Sequence, residues 1–143
     1  TLEAMAQNGR LFTGTVICAM DARRNQIYNA LFRCEGGALS RLCPDRAIGL
    51  EELAEELKGD ESPKLTVGDG AQLCCDYLNG HGIPCRLAPE SSRYQSAVGV
   101  ALAAEAMARR GEAVSGRELV PTYLRLSQAE RERLAKGMKI TVD

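Results

Sequence analysis

Two aspartates follow two short apolar segments of the chain. Asp21 comes directly after TVICAM at residues 15–20, and Asp69 follows KLTV within the stretch VGDG. Short apolar runs are typical of strands that are covered on both faces, and parallel neighbours end at one edge of a sheet. We therefore expect the two carboxylates to lie side by side, where paired carboxylates can hold Mg²⁺ for hydrolysis of a phosphodiester.

A metal centre of this kind needs further acids, and the predicted helices carry them. The candidates for a third and a fourth ligand are Glu51, Glu52, Glu55 and Glu105. A simpler interpretation is that Asp21 begins a turn, that Asp69 caps the helix that starts near Ala71, and that the glutamates face solvent. The net charge of −1 also argues against a polyanionic substrate.

The glycines around Asp69 suggest a second kind of site. Gly68, Asp69 and Gly70 lie between a predicted strand and a predicted helix. Backbone N–H groups in that position can bind the phosphates of a nucleotide. The stretch lacks the G-x-x-x-x-G-K-[ST] and G-x-G-x-x-G patterns, so a tight structural turn is the alternative.

Other side-chain chemistry has little support. His81, in an N-G-H-G loop, is the single histidine, so a catalytic triad has one possible base. The cysteines show no C-x-x-C spacing, which leaves a zinc site without a ligand pattern. We expect six reduced, structural thiols, with a disulfide between Cys34 and Cys43 as the alternative. No apolar run approaches the ~20 residues that span a bilayer.

The 143 residues predict one α/β domain with the order βββαβαβα. The predicted strands cover 15–20, 26–34, 38–43, 64–67 and 83–88, and the predicted helices cover 49–59, 71–82 and 93–111, with a further helix after Ser127. Ser91 or Ser92 is expected to cap the helix at 93–111. This order, a mixed sheet flanked by helices, is that of the ribonuclease H-like fold, which is also the core of an actin-like ATPase lobe.

The predicted helix at 93–111 is apolar nearly all round. Such a helix is usually buried between layers. It would then cover the core, or contact another lobe or a second copy of the chain in a homodimer.

Four stretches resemble the TsaB (YeaZ-like) family. DARRNQIYNALF resembles its D-A-R-x-x-x-(V/I)-Y-x-A-x-(F/Y) motif, TLEAMA resembles its T-L-E-A-L-A, and VGDGA and PTYLR follow in the family's order. The resemblance runs from Thr1 to about Arg125. It implies that the motif residues are structural or interface positions: Asp21, Ala22, Arg23, Tyr28, Tyr123, Leu124 and Arg125.

The resemblance implies a cytoplasmic accessory subunit in the synthesis of threonylcarbamoyladenosine at position 37 of tRNA. The subunit would pair with its paralogue TsaD, which carries ATP and metal, and TsaE would join as an ATPase. This chain would then need no cofactor and would contact tRNA through the complex. It has no H-x-x-x-H pair, so the family's older description as a glycoprotease or M22 peptidase does not fit it.

The resemblance also implies a division of the chain. Residues 1–10 would be the remnant of a helix that joins a missing N-terminal lobe, 11–125 the C-terminal lobe, and 126–143 a helix and tail. Arg23 is expected to pair with Asp21 or Asp69 across the strand ends. Two alternatives stay open: a metal-dependent phosphodiesterase of ribonuclease H-like fold, and a nucleotide-binding actin-like lobe.

Overall fold

A computed structural model describes residues 1–124 of the chain. Its strands are β1 Gly14–Asp21, β2 Gln26–Glu35, β3 Ala38–Arg41, β4 Arg46–Gly49, β5 Lys64–Val67 and β6 Arg86–Leu87. Its α-helices are α1 Leu2–Ala6, α2 Leu50–Leu57, α3 Ala71–Gly80, α4 Glu90–Arg93 and α5 Ala97–Arg109, and a 3₁₀ turn covers Gln7–Gly9. Arg125 and the predicted helix after Ser127 lie outside the described residues.

The six strands form one mixed sheet, in which five follow the order β3-β2-β1-β5-β6 and β4 pairs with β2 off this path. The strands β1, β2 and β3 pair antiparallel, which confirms the predicted three-stranded meander. The strand β5 lies parallel to β1 and to β6, and helices connect these strands. The carboxyl ends of β1 and β5 therefore meet at one edge of the sheet.

The strand β4 was missing from the predicted order. It pairs antiparallel with the first half of β2, while β3 pairs with the second half. Arg46 anchors β4, because its Nε donates a hydrogen bond to Oδ1 of the buried Asn29 at 3.1 Å. Four residues directly after Pro44 and Asp45 are too few to show a strand period, so this pairing could not be predicted from the local pattern.

Alternating side chains of β1 and β2 build a core on each face of the sheet. One core packs against α2 and α3 and contains Ile17, Ala19, Ile27, Leu31, Leu53 and Leu78. The other packs against α1 and contains Val16, Cys18, Ala30, Phe32, Leu2 and Met5. The strand β1, which is buried from Gly14 to Ala19, thus lies between two helical layers, as its apolar run predicted.

The helix α5 differs from its prediction. It packs mainly on α1, and among its residues only Gly99 and Ala103 are buried. Val98 and Val100 are 64% and 53% exposed, so the residues described do not bury this helix on every side. The reason is that α5 forms an outer layer, with one side on α1 and the other in solvent. Its contact with another lobe or a second copy of the chain stays a prediction.

Two element boundaries also differ. The cap of α5 is Ser96, whose Oγ accepts a hydrogen bond from the N–H of Gly99 at 3.0 Å, whereas Ser91 and Ser92 lie within α4. The strand β6 has two residues, although 83–88 was predicted. Within residues 1–124, no helix has the length and apolarity needed to cross a membrane.

Candidate functional site

The two strand-end aspartates meet as predicted. The backbone N–H of Asp21 donates a hydrogen bond to Oδ1 of Asp69 at 3.3 Å. The carboxylate of Asp21 points back along its own hairpin, where Oδ1 accepts from the N–H of Arg23 at 2.7 Å. Both side chains are exposed. Asp21 thus stabilises the predicted turn. The predicted capping of α3 by Asp69 is wrong, because the N-cap of α3 is Gly70 without a side-chain hydrogen bond and the Asp69 carboxylate accepts from Asp21 instead.

The β1–β2 connection has an unusual backbone. Arg23, Arg24 and Asn25 are consecutive and have φ of 66°, 57° and 57°. Left-handed conformations cost L-residues about 1–2 kcal/mol each, so the turn needs compensation. The carboxylate of Asp21 supplies part of it by binding the N–H of Arg23. Among residues 1–124, no ion pair joins the Arg23 guanidinium to either aspartate, so the predicted pairing is replaced by a backbone hydrogen bond.

The loop Gly68–Gly70 packs directly on the end of β1. Gly68 has φ of 112°, and a Cβ there would lie 2.1 Å from the carbonyl oxygen of Ala19. A Cβ on Gly70 would lie 2.9 Å from the backbone nitrogen of Asp21. Glycine is therefore required at Gly68 by both conformation and close approach.

Several N–H groups of this loop are used within the chain. Gly68 donates to the carbonyl of Arg93 at 2.6 Å, Gly70 to that of Ala19 at 3.0 Å, and Ala71 to that of Gly68 at 3.2 Å. These bonds describe a turn that ties α3 and α4 to the strand ends. Nucleotide binding at Gly68, Asp69 and Gly70 stays a prediction.

The acids proposed as further metal ligands do not join the two aspartates. Glu55 pairs with Lys58, and Glu105 pairs with Arg109 at 2.6 Å. Within the described ranges, no group of three or more His, Cys, Asp or Glu side chains is placed to hold a metal ion. His81 stacks on Tyr77 with 4.1 Å between ring centroids, and its Nδ1 lies 2.8 Å from the Tyr77 carbonyl oxygen.

All six cysteines are free thiols. Cys34 belongs to the core on the α1 face and Cys43 packs on the core of the opposite face, so the two cannot bridge. Burial raises the pKa of Cys18 and, to about 12, the pKa of Cys74, which keeps these thiols protonated at neutral pH.

Three of the motif residues line one groove, although Tyr28 is far in sequence from Tyr123 and Leu124. Tyr28, Tyr123 and Leu124 border a groove with a volume of about 700 Å³. Sequence analysis missed its other lining residues: Thr1, Leu2, Met20, Asp45, Leu119, Val120, Pro121 and Thr122. The predicted pairing of β1 with β2 could have identified Met20 as a lining residue, because Met20 lies directly opposite Tyr28 in the antiparallel register.

The groove is open and largely apolar. Tyr123 is 85% exposed, while Leu124 packs on the core of the α1 face. Segment 119–124 thus places its aromatic side chain in solvent at the groove's rim. Concave, mostly apolar surfaces with a few polar groups are typical of binding sites.

Known proteins share this sequence and fold. No protein-family model matches the chain. The chain is 32% identical over 134 residues to the tRNA threonylcarbamoyladenosine biosynthesis protein TsaB of Bacillus subtilis, which covers 91% of the chain and 56% of that protein. The chain therefore spans about half the length of this curated relative.

Two solved structures from Pseudomonas aeruginosa have a similar fold. One is an uncharacterized protein with similarity to peptidase YeaZ, with a TM-score of 0.63 and 21% identity over 87% of this chain and 56% of that chain. The other is YeaZ, with a TM-score of 0.62 and 20% identity over 85% of this chain and 56% of that chain. The predicted ribonuclease H-like, actin-like fold class is confirmed, and the chain is similar in sequence to TsaB and in fold to YeaZ.

Proposed function

We propose that the chain acts in the biosynthesis of threonylcarbamoyladenosine in tRNA. The observation that carries this proposal is its 32% identity to TsaB over 91% of its own length. The shared fold adds support, with TM-scores of 0.63 and 0.62 to the two solved structures.

The role we propose is that of a non-catalytic cytoplasmic subunit that pairs with TsaD. ATP and metal would be held by TsaD, TsaE would join as the ATPase, and tRNA would be reached through the complex. The backbone hydrogen bonds accepted by Asp21 and Asp69 favour this role, since Asp21 stabilises a turn and Asp69 binds the end of β1.

The groove at Tyr28 and Tyr123 is our candidate for the contact with TsaD. Aromatic side chains at the centre of an interface often carry much of the binding energy. Tyr123 is 85% exposed, so Tyr123→Ala can remove the ring without disturbing the core. Tyr94→Ala, at a half-exposed tyrosine away from the groove, is the matched control.

Isothermal titration calorimetry tests the pairing. We expect heat when TsaD from the same genome is added to the chain, and an affinity about tenfold or more weaker for Tyr123→Ala. Tyr94→Ala should bind as the parent does. An unchanged affinity for Tyr123→Ala would exclude the groove, and no binding of TsaD at all would exclude the pairing for this chain.

A second titration separates the alternatives. A metal-dependent phosphodiesterase would bind Mg²⁺ or Mn²⁺, and an actin-like nucleotide-binding lobe would bind ATP. We expect no heat when Mg²⁺, Mn²⁺ or ATP is added to the chain without TsaD. A Mg²⁺-dependent nuclease or ATPase activity that disappears in Asp21→Asn would overturn the accessory role. Sedimentation of the chain alone would show whether it also forms a homodimer.

A further inference from the structure

Asn79 clamps α3 to the chain that enters β6. Its Oδ1 accepts a hydrogen bond from the N–H of Cys85 at 2.9 Å, and its Nδ2 donates to the carbonyl of Cys85 at 3.1 Å. The same Nδ2 lies 3.4 Å from Sγ of Cys75, one helical turn earlier. One side chain therefore fixes the backbone of Cys85 beside the thiol of Cys75.

The clamp brings the two cysteines together. Sγ of Cys75 donates to the carbonyl of Cys85 at 3.4 Å, so this thiol lies against the residue that carries the second one. Cys75 is buried and Cys85 is half-buried, so the pair has one partly exposed member. This is the arrangement of an accessible thiol with a second thiol beside it.

We propose that Cys75 and Cys85 form a reversible disulfide when the chain meets a hydroperoxide. The peroxide oxidises the Cys85 sulfur to a sulfenic acid and is itself reduced to an alcohol, or to water from hydrogen peroxide. The Cys75 sulfur then attacks the Cys85 sulfur. The S–S bond forms, the S–OH bond breaks, and the hydroxide leaves as water with the Cys75 proton. Two electrons pass from the thiols to the peroxide, and a dithiol reverses the reaction.

The surroundings of Cys85 set the rate. Burial, followed by the neighbouring thiols of Cys75 and Cys74, raises the pKa of Cys85, and a hydrogen bond with the Thr66 side chain acts in the opposite direction. The thiolate is the reactive form, so the initial oxidation is slow at neutral pH. Its rate should rise about tenfold for each pH unit while the pH stays below the pKa.

The disulfide would secure the edge of the sheet. Within residues 1–124, the two-residue strand β6 pairs with β5 alone, and Ala88 donates one further bond to the Thr66 carbonyl at 3.0 Å. A covalent link from the residue before β6 to α3 restrains the fraying of this short strand. The inference does not depend on the proposed function.

Peptide mapping of the full chain tests the proposal. The chain is treated with hydrogen peroxide at pH 7 and pH 9, blocked with N-ethylmaleimide, and cleaved without reduction. Trypsin alone leaves Cys74, Cys75 and Cys85 in one peptide, so a second cleavage before Asp76 is needed to separate Cys85 from the other two. We expect Cys75 and Cys85 in two peptides joined by a disulfide that dithiothreitol releases, and formation about a hundredfold faster at pH 9.

Variants assign the bond. Cys75→Ser and Cys85→Ser should each abolish the cross-linked product, whereas Cys43→Ser and Cys74→Ala should retain it. If a variant does not fold, fragmentation of the linked peptides of the parent chain decides the question, because N-ethylmaleimide should label Cys74 and not Cys75. A bond between Cys74 and Cys75, a sulfinic acid at Cys85 beside an N-ethylmaleimide-labelled Cys75, or unchanged thiols after prolonged treatment at pH 9 would each overturn the proposal.

Discussion

The backbone N–H of Asp21 donates a hydrogen bond to the carboxylate of Asp69 at 3.3 Å. This bond connects the end of β1 to the loop that follows β5, at the edge where the two parallel strands stop. The two acids are therefore neighbours through backbone and side chain rather than through facing carboxylates. That distinction explains why a pair of strand-end aspartates can serve as architecture.

Removing the side chain of Asp21 should destabilise the β1–β2 turn. Asp21→Ala deprives the Arg23 N–H of its acceptor at 2.7 Å, so we expect the free energy of unfolding to fall by about 1 kcal/mol. Asp21→Asn keeps an acceptor oxygen and should lose less. Urea unfolding measures both, with Glu35→Ala at the exposed end of β2 as the control. Equal losses for the alanine and asparagine variants would contradict the assigned hydrogen bond.

Gly68→Ala should be severely destabilising. The new Cβ would lie 2.1 Å from the Ala19 carbonyl oxygen, and φ of 112° is unfavourable for alanine. We expect a loss of more than about 3 kcal/mol in the free energy of unfolding. Gly80→Ala, at a helical position where a Cβ has open space, should be neutral or stabilising. A Gly68→Ala chain that unfolds at the parent's urea concentration would mean that the loop packs differently.

Arg24→Gly should stabilise the chain. Arg24 is the middle residue of three in succession with positive φ, and glycine adopts φ of 57° without the cost that a Cβ imposes. Relief of that cost exceeds glycine's greater freedom in the unfolded chain, so we expect a net gain of about 0.5–1 kcal/mol. Thermal unfolding measures it. The exposed Arg117, which lacks a positive φ, is the control, and Arg117→Gly should give no gain.

The pH dependence of the free energy of unfolding should reveal the ionisation of the Asp60 carboxyl. Burial acts to raise the pKa of this carboxyl, but the other contributions outweigh it and the pKa is lowered. They are hydrogen bonds from the side chain and the N–H of Ser62, the positive charge of Lys64, and a hydrogen bond from the Thr15 side chain. A lowered pKa in the folded state contributes stability above the unfolded value near 3.8, and this contribution is lost as the pH falls through the folded pKa.

Asp60→Asn should therefore lose stability at pH 6 and differ little from the parent well below pH 3.8. Urea unfolding across this range measures the difference. Glu61→Gln changes the exposed neighbouring acid and should follow the parent's curve. A constant difference between Asp60→Asn and the parent at every pH would show that ionisation of Asp60 is not the cause.

Much of the fold could be predicted because its elements have strong local patterns. The apolar run of β1, the helical spacing of Leu50, Leu53, Ala54 and Leu57 in α2, and the glycines of the Gly36–Gly37 turn each define an element without distant contacts. The meeting of Asp21 and Asp69 was also predictable, since it follows from strand order alone. The strand β4 was not, because its stability comes from pairing with β2 and from the Arg46–Asn29 hydrogen bond.

By itself the sequence determined which segments are buried strands, which amphipathic helix covers them, and which short motifs resemble the TsaB family. Only the tertiary structure decided that α5 is an outer layer, that Tyr28 and Tyr123 border one groove, and that Cys75 lies against Cys85. The physical reason is that hydrophobic periodicity is a property of neighbouring residues along the chain. The partner of a helix face, a tyrosine or a thiol is set by contacts between residues that are distant in sequence.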